Sequence, residues 1–388
     1  MALLVDQITT GGTEKQFLAL ATELATNGHQ IDLFSLRPPS ESMGPHLERF
    51  LGRGGRLQVP RTRFARRFPL LSCYWWLIRG KSEIVYAGMT RTMLAAALPL
   101  FRHVPVVMAR RSMPSAWPRA EFTFKARKWS IKRADAVVAN SRAVADEALL
   151  LEGIQPSRMH VVPNGLARSL PPLRDVPGPA ERTEALIRIA SVANMRPEKN
   201  HRVLLEALGN VLGEGLAFQA LLAGDGELRP ELERQAERLQ LPVKFLGSVE
   251  DPQKLLEEAD IFVQHSSFEG LSNSLLEAMS SGCAIVATDV GGTHEALADS
   301  GLEVPPKNAT VMANAIACFI ESEPLRREYS DRARDRSQEF TLSAMAERHL
   351  ALFSSLSPGS NRLTRGEALA RRFWRRPRPK VTVHDREP

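Results

Sequence analysis

Apolar and polar positions alternate in two kinds of block. Short continuous apolar runs recur at ALLVD (2–6), QIDLFSL (30–36), EIVYAG (83–88), VPVVMA (104–109) and DAVVAN (135–140). Such runs suit strands buried on both faces of a parallel sheet. Between them lie stretches of helical period: Thr13–Asn27 places Phe17, Leu20, Ala21 and Leu24 at spacings of three and four. Asn27-Gly28 closes that helix, and Ser141 is placed to cap the helix after DAVVAN. After HVVPNG (160–165) a Pro- and charge-rich stretch over 167–184 reads as a linker. The alternation then restarts with strands at IRIASVA (187–193), FQALLAG (218–224), VKFLG (243–247), IFVQH (261–265) and AIVATD (284–289). Helices are expected at HRVLLEAL (201–208), Arg229–Leu239, PQKLLEEA (252–259) and Ser274–Ser281.

This grammar predicts an α/β protein of two Rossmann-like, doubly wound parallel-sheet domains. The expected first domain covers residues 1–166 and the second 185–340. A last helix over 341–356 is a candidate to cross back to the first domain, and 357–388 reads as a basic, disordered tail. A length of 388 residues accommodates two ordinary domains. Three dispersed cysteines, Cys73, Cys283 and Cys318, without a CxxC pair fit a reduced compartment and argue against a zinc site. No apolar run approaches the roughly 18 to 20 residues of a membrane span. Acidic Asp6 and a Gly-Gly pair interrupt the first apolar run, unlike a signal peptide, so a cytoplasmic protein is expected.

The net charge of +7 favours anionic partners. Much of it falls in RRFWRRPRPK (371–380), with a second cluster in RTRFARRF (61–68) ahead of LLSCYWWLI, and the interior reads as close to balanced. Arginines mixed with Phe64, Phe68, Tyr74, Trp75 and Trp76 suit an anionic bilayer; the alternative is a helix whose aromatics are core and whose arginines are solvated. A nucleic-acid partner is not expected, because no recognition fold accompanies the tail.

Four segments carry candidate chemistry. Ser266–Gly282 follows a strand and opens a helix, with Glu269 in the loop and Glu277 eight residues on. Loops at strand carboxyl ends are where doubly wound folds bind ligands. Amides near Leu271–Leu275 would sit at a helix N-terminus suited to phosphate, and a carboxylate one turn inside can accept hydrogen bonds from two ribose hydroxyls. Read blandly, the two glutamates are solvated loop and helix residues. In ASVANMRPEKNH (190–201), Arg196 and Lys199 can pair a diphosphate or decorate a surface loop. GDGEL (224–228) and Gly11-Gly12-Thr13-Glu14 allow close backbone approach. The second lacks the spacing of a dinucleotide fingerprint. The nine histidines show no metal-ligand spacing.

Together these segments resemble the family 4 glycosyltransferases of the GT-B type, over about Leu3 to Ser354. The most specific stretch is FEGLSNSLLEAMSSGCAIVATDVGGTHE (268–295), similar to that family's Glu-x7-Glu signature and following GG-x-x-E. GGTE (11–14), VVPNG (161–165), RPEKN (196–200) and AGDGEL (223–228) support it in order and spacing. The resemblance implies a nucleotide-sugar donor, UDP- or GDP-linked, in the C-terminal domain and a glycan or lipid-linked acceptor in the N-terminal domain. It implies transfer with retention, without metal or other cofactor. On the matching positions, Arg196 and Lys199 would neutralise the diphosphate and Glu277 would hold the ribose. Glu269, Gly270 and Leu271 would contact the sugar, and Ser274 and Leu275 would offer amides to phosphate. Gly12 and Gly224 would allow close approach to the donor.

One departure stands out. Where many family members carry a histidine after the strand matched by VPVVMA, this chain has Ala109-Arg110-Arg111-Ser112, and its nearest histidine is His103. A branch associated with bacterial exopolysaccharide assembly shows a similar Arg-Arg pattern, so Arg110 or Arg111 is a candidate contact for donor or acceptor phosphate. The resemblance thus points to cell-surface polysaccharide synthesis at the inner face of the cytoplasmic membrane. Two other readings are a nucleotide-sugar 2-epimerase of the same architecture and a non-catalytic homologue that binds nucleotide-sugar or membrane.

Overall fold

The structure, a computed structural model, describes residues 1–9, 11–98, 104–116, 122–166, 186–249 and 251–356. The linker, His103 and the tail with Arg371–Lys380 lie outside the described residues.

The first half runs β1 (Ala2–Val5), α1 (Gly12–Thr26), β2 (Asp32–Ser35), α2 (Gly44–Gly52), β3 (Arg56–Gln58), α3 (Arg63–Arg67) and α4 (Pro69–Arg79). It continues through β4 (Val85–Ala87), α5 (Thr90–Ala96), β5 (Val106–Arg110), α6 (Phe122–Ile131), β6 (Ala136–Ala139), α7 (Arg142–Glu152) and β7 (Met159–Val161). Its seven strands pair in parallel in the order β3-β2-β1-β4-β5-β6-β7. The second half runs β8 (Ile187–Val192), α8 (His201–Gly213), β9 (Phe218–Ala223), α9 (Arg229–Arg238), β10 (Val243–Gly247), α10 (Pro252–Glu257) and β11 (Ile261–Gln264). Then come α11 (Asn273–Ser281), β12 (Ala284–Thr288), α12 (Thr293–Leu297), β13 (Leu302–Val304), α13 (Ala309–Glu321), α14 (Glu323–Ser337) and α15 (Leu342–Leu356). Its six parallel strands follow the order β10-β9-β8-β11-β12-β13.

Both sheets reverse their winding beside the first strand, between β1 and β4 and between β8 and β11. That reversal opens a crevice at the carboxyl ends of the strands. Apolar clusters fill both faces of each sheet: Leu3, Phe17 and Tyr86 on one side of the first and Leu4, Val85 and Met108 on the other. The second sheet buries Ile189, Leu204 and Phe319 on one face and Phe262, Leu276 and Ile285 on the other.

Helix α15 belongs to the first core, not the second. Its Met345, Ala346, Leu352 and Phe353 pack with Leu3, Phe17 and Tyr86, and His349 is fully buried with Nε2 3.3 Å from the Tyr86 hydroxyl. Burying large side chains of this kind contributes about 1.5–3 kcal/mol each. Where the chain returns, Leu166 pairs with Thr341, its amide donating to the Phe340 carbonyl at 2.7 Å. The short edge strands β3, β7 and β13 were not anticipated from sequence, because three residues are too few to show a period.

Candidate active site

The carboxyl ends of the two sheets face one another across a cleft of about 340 Å³. Of the candidate residues, Gly12, Arg111, Lys199, Gly224, Glu269, Leu271, Ser274 and Glu277 line it, from both halves of the chain. Arg196, Gly270, Leu275 and Arg110 do not.

The second half supplies the charged floor. Pro197–Lys199 forms one tight turn after β8, and Asn200 ends it in the left-handed region at φ 57°. The loop after β11 grips that turn: the Ser267 amide donates to the Glu198 carbonyl at 2.8 Å, and the Lys199 ammonium pairs with Glu269. Ser266 Oγ donates to the same Glu269 oxygen at 2.9 Å. Lys199 and Glu269 therefore neutralise each other. Arg196 starts the turn with its side chain in solvent.

Helix α11 begins at Asn273, capped by Ser272, whose hydroxyl accepts from the Leu275 amide at 3.4 Å. That bond takes the Leu275 amide away from any phosphate, and the Leu275 side chain is core. Ser274 remains on the cleft wall, in the first turn whose amides lack intrahelical carbonyls. One turn inside, the Glu277 carboxyl faces the cleft without a hydrogen-bond partner among the described residues. Burial pushes its pKa up to about 7, with Lys15 opposing and Asp251 adding to the rise. Gly224 directly follows β9 at φ 133°, where a Cβ would run into the Ala193 carbonyl.

The first half closes over this floor through specific bonds. Asn164, in VVPNG, donates from Nδ2 to the Leu271 carbonyl and to Asn273 Oδ1, both at 2.8 Å. Arg111 Nη1 donates to Asn164 Oδ1 at 2.7 Å, with its guanidinium carbon 5.3 Å from the centre of the Phe17 ring. Asn273 Nδ2 donates to the Gly12 carbonyl at 3.1 Å. Gly270 sits where the halves touch: a Cβ there would lie 2.5 Å from the Arg111 carbonyl oxygen. Its carbonyl accepts from the Gly292 amide at 2.6 Å. Glu295, from the GG-x-x-E segment, reaches across to the start of α7 and accepts from the Arg142 and Ala143 amides, each at 2.7 Å. It acts as a helix cap supplied from the other half, with charge suited to the positive helix end.

The arginine pair divides. Arg110 turns inward to Glu152 at 2.9 Å, and Glu152 also takes Arg127 at 3.1 Å. All three are buried, so Arg110 holds structure away from the cleft, and only Arg111 reaches it. Sequence reasoning missed Lys15, Asn140, Asn164 and Asn273, which also line the cleft. Each lies within or beside a segment already noted, so position was legible where direction was not. Among the described residues, no three His, Cys, Asp or Glu side chains converge as metal ligands. No described helix is long and apolar enough to cross a membrane.

Two family models match in tandem: Glycosyltransferase Family 4 over residues 10–169 and Glycosyl transferases group 1 over 187–322. The chain is 28% identical over 215 residues, 54% of its length and 57% of the relative's, to a Campylobacter jejuni enzyme. That enzyme is the N-acetylgalactosamine-N,N'-diacetylbacillosaminyl-diphospho-undecaprenol 4-alpha-N-acetylgalactosaminyltransferase. It is 32% identical over 166 residues to the phosphatidyl-myo-inositol mannosyltransferase of Mycolicibacterium smegmatis, covering 42% of this chain and 43% of that one. The chain thus spans about half the length of the curated relatives it matches. The crystal structure of Anabaena HepE with UDP and glucose superposes with a TM-score of 0.76 at 21% identity, over 92% of this chain and 99% of that one. The fold is GT-B. With both family models in register with the two sheets, the chain belongs to the group 1 glycosyltransferases of family 4.

Proposed function

We propose that the protein is a retaining glycosyltransferase. It moves a sugar from a UDP- or GDP-sugar to a glycan or lipid-linked acceptor in cell-surface polysaccharide assembly. The observation that carries this reading is the convergence of Lys199, Glu269 and Glu277 with Lys15 and Arg111 in one cleft between two doubly wound sheets. The activities for which the Campylobacter and Mycolicibacterium relatives are named, both on lipid-borne acceptors, support it.

In this reading Lys199 takes the donor diphosphate, leaving Glu269 to face the sugar, while Arg196 rotates in from solvent. Ser274 offers its amide to phosphate, and Glu277 accepts hydrogen bonds from the ribose hydroxyls. During transfer the bond between the anomeric carbon and the diphosphate oxygen breaks, its electron pair passing to that oxygen. The acceptor oxygen bonds the same face of the sugar and its proton goes to the departing diphosphate. Fixed positive charge aimed at the leaving oxygen stabilises that step, the part a metal ion plays elsewhere. Calorimetric titration with UDP, GDP and their sugar conjugates tests the map. Lys199→Ala is expected to weaken the preferred ligand by about 1.5–3 kcal/mol. Unchanged affinity would remove Lys199 from the donor site, and sugar epimerisation without acceptor would reassign the activity.

We also propose that the N-terminal half rests on anionic membrane through α3 and α4. Residues 59–134 hold 16 Lys and Arg against two acids, Glu83 and Glu121. The interior is therefore not balanced, and this stretch outweighs the tail. Helix α4 buries Cys73, Tyr74 and Leu77 and turns Leu71 and Trp75 outward, while Phe64 is 63% and Trp75 49% exposed. Arg61, Arg63, Arg66, Arg67 and Arg79, on or beside the same two helices, are all exposed, and the Arg79 guanidinium carbon lies over the Trp75 ring, 5.4 Å from its centre. The helix is thus part core and part surface. Each cation near acidic headgroups contributes about 1 kcal/mol. Phe64→Ser with Trp75→Ser is expected to reduce sedimentation with phosphatidylglycerol vesicles at least about fivefold, equivalent to about 1 kcal/mol. Equal sedimentation would discard the surface.

A further inference from the structure

Lys199 is held at two points by one short stretch of chain, and the two holds differ in kind. Its ammonium pairs with Glu269, a contact a ligand can replace. Its carbonyl is bound from beneath by His265 Nδ1. His265 follows β11, is 1% exposed, and packs edge-on against the His201 ring with centroids 4.5 Å apart. Its Nε2 lies 2.8 Å from Ser191 Oγ, on β8. Both serine and histidine are buried, and neither lines the cleft.

The chemistry of the partners fixes the direction of this chain. A carbonyl only accepts, so Nδ1 carries the hydrogen. Burial holds His265 well below the ordinary imidazole range, so the ring is neutral and Nε2 accepts. The Ser191 hydroxyl therefore donates. The result is a relay, Ser191 O–H to Nε2 and Nδ1–H to the Lys199 carbonyl, which ties the turn to two neighbouring central strands. The turn needs such support. It ends on a left-handed asparagine, Asn200, whose side-chain Nδ2 is buried without a partner, while its backbone amide donates to the Pro197 carbonyl at 3.1 Å.

We propose that His265, oriented by Ser191, is a positioning residue that pins the Lys199 backbone while its ammonium passes from Glu269 to the donor diphosphate. The inference rests on the donor reading of Lys199. It assigns His265 no contact with substrate; the histidine acts through the lysine it anchors.

The test is a double-mutant cycle read by calorimetry on the full chain, with UDP and GDP as probes and uridine and guanosine as diphosphate-free controls. His265→Leu is expected to weaken the diphosphate about tenfold and the nucleoside less than about twofold, a loss of part of one charge-assisted contact. Ser191→Ala should act in the same direction by about threefold. His265→Asn, whose amide nitrogen can stand where Nδ1 stands, should recover most of the loss. Combining His265→Leu with Lys199→Ala should cost nothing beyond Lys199→Ala alone. Full additivity of the two losses, or unchanged UDP and GDP affinity in folded His265→Leu, would overturn the proposal. If His265→Leu does not fold, the cycle with Ser191→Ala decides in the same way. If Lys199→Ala itself binds normally, the donor reading fails, a result distinct from normal Lys199→Ala loss with an inert His265.

Discussion

Glu277→Gln is expected to make the protein more stable and a poorer nucleotide binder at once. In the folded chain burial raises the Glu277 pKa to about 7. An unfolded glutamate titrates near 4.3. The folded state therefore binds this proton more tightly than the unfolded state. Stability falls as pH rises through the window from about 4.3 to about 7, and the full penalty persists above it. Glutamine removes the charge and so the penalty, a gain of about 1–3 kcal/mol at pH 8 that vanishes near pH 4. Thermal melts at the two pH values read this directly. Nucleotide affinity should move the other way, because a carboxylate accepts from ribose hydroxyls more strongly than an amide. About a 10- to 100-fold loss at pH 8 is expected from the range for charged hydrogen bonds. Wild-type affinity should itself decline as pH drops through about 7, and the variant's should not. Unaltered nucleotide affinity in Glu277→Gln would remove the ribose role.

Glu269→Gln is the second case. Glu269 holds the Lys199 ammonium, so a diphosphate that pairs with Lys199 must displace it. Without the carboxylate, Lys199 stands free, and UDP or GDP should bind about threefold to tenfold more tightly, the worth of a partly exposed ion pair near 1 kcal/mol. Sugar transfer should nevertheless fall at least about 100-fold, since the group facing the sugar loses the charge that matches the positive charge developing there. Equilibrium titration and a transfer assay on one preparation separate the effects. Weaker UDP and GDP binding would show that Glu269 is a ligand of the nucleotide rather than a competitor for Lys199.

Much of this arrangement is legible in the chain, and the boundary between what is and is not has a physical cause. The buried strands announce themselves because both faces are apolar: AVVA at 136–139 and AIVAT at 284–288 are fully buried. The Ser141 cap also follows from sequence, its hydroxyl accepting from the Val144 amide at 3.2 Å. Positions in the loops after strand ends, such as Lys199 and Glu269, and in the first turns of the helix that follows, such as Glu277, are placed in the cleft by topology alone. Side-chain direction is not. Arg110 and Arg111 are adjacent and chemically identical, yet strand alternation sends one to Glu152 and the other to Asn164. Leu275 lies in the first turn of α11, but which amide Ser272 caps depends on geometry that spacing does not encode. Contacts across the cleft, such as Glu295 on the first turn of α7, join residues about 150 apart and leave no local signature.

The return of α15 to the first core bears on synthesis at the ribosome. Residues up to Leu166 emerge with one face of β1 and β4 complete except for the patch that Met345, Leu352 and Phe353 later cover. Some 187 residues, from Leu166 to Phe353, must be translated before that patch can be closed. At about 5–20 residues per second, the nascent amino-terminal half waits about 10–35 s with apolar surface open to water. The second half has no such debt and can fold as it appears. Translation rate and chaperone occupancy should therefore govern the yield of the first half, and a slow-codon stretch ahead of α15 should lower recovery more than one placed after it.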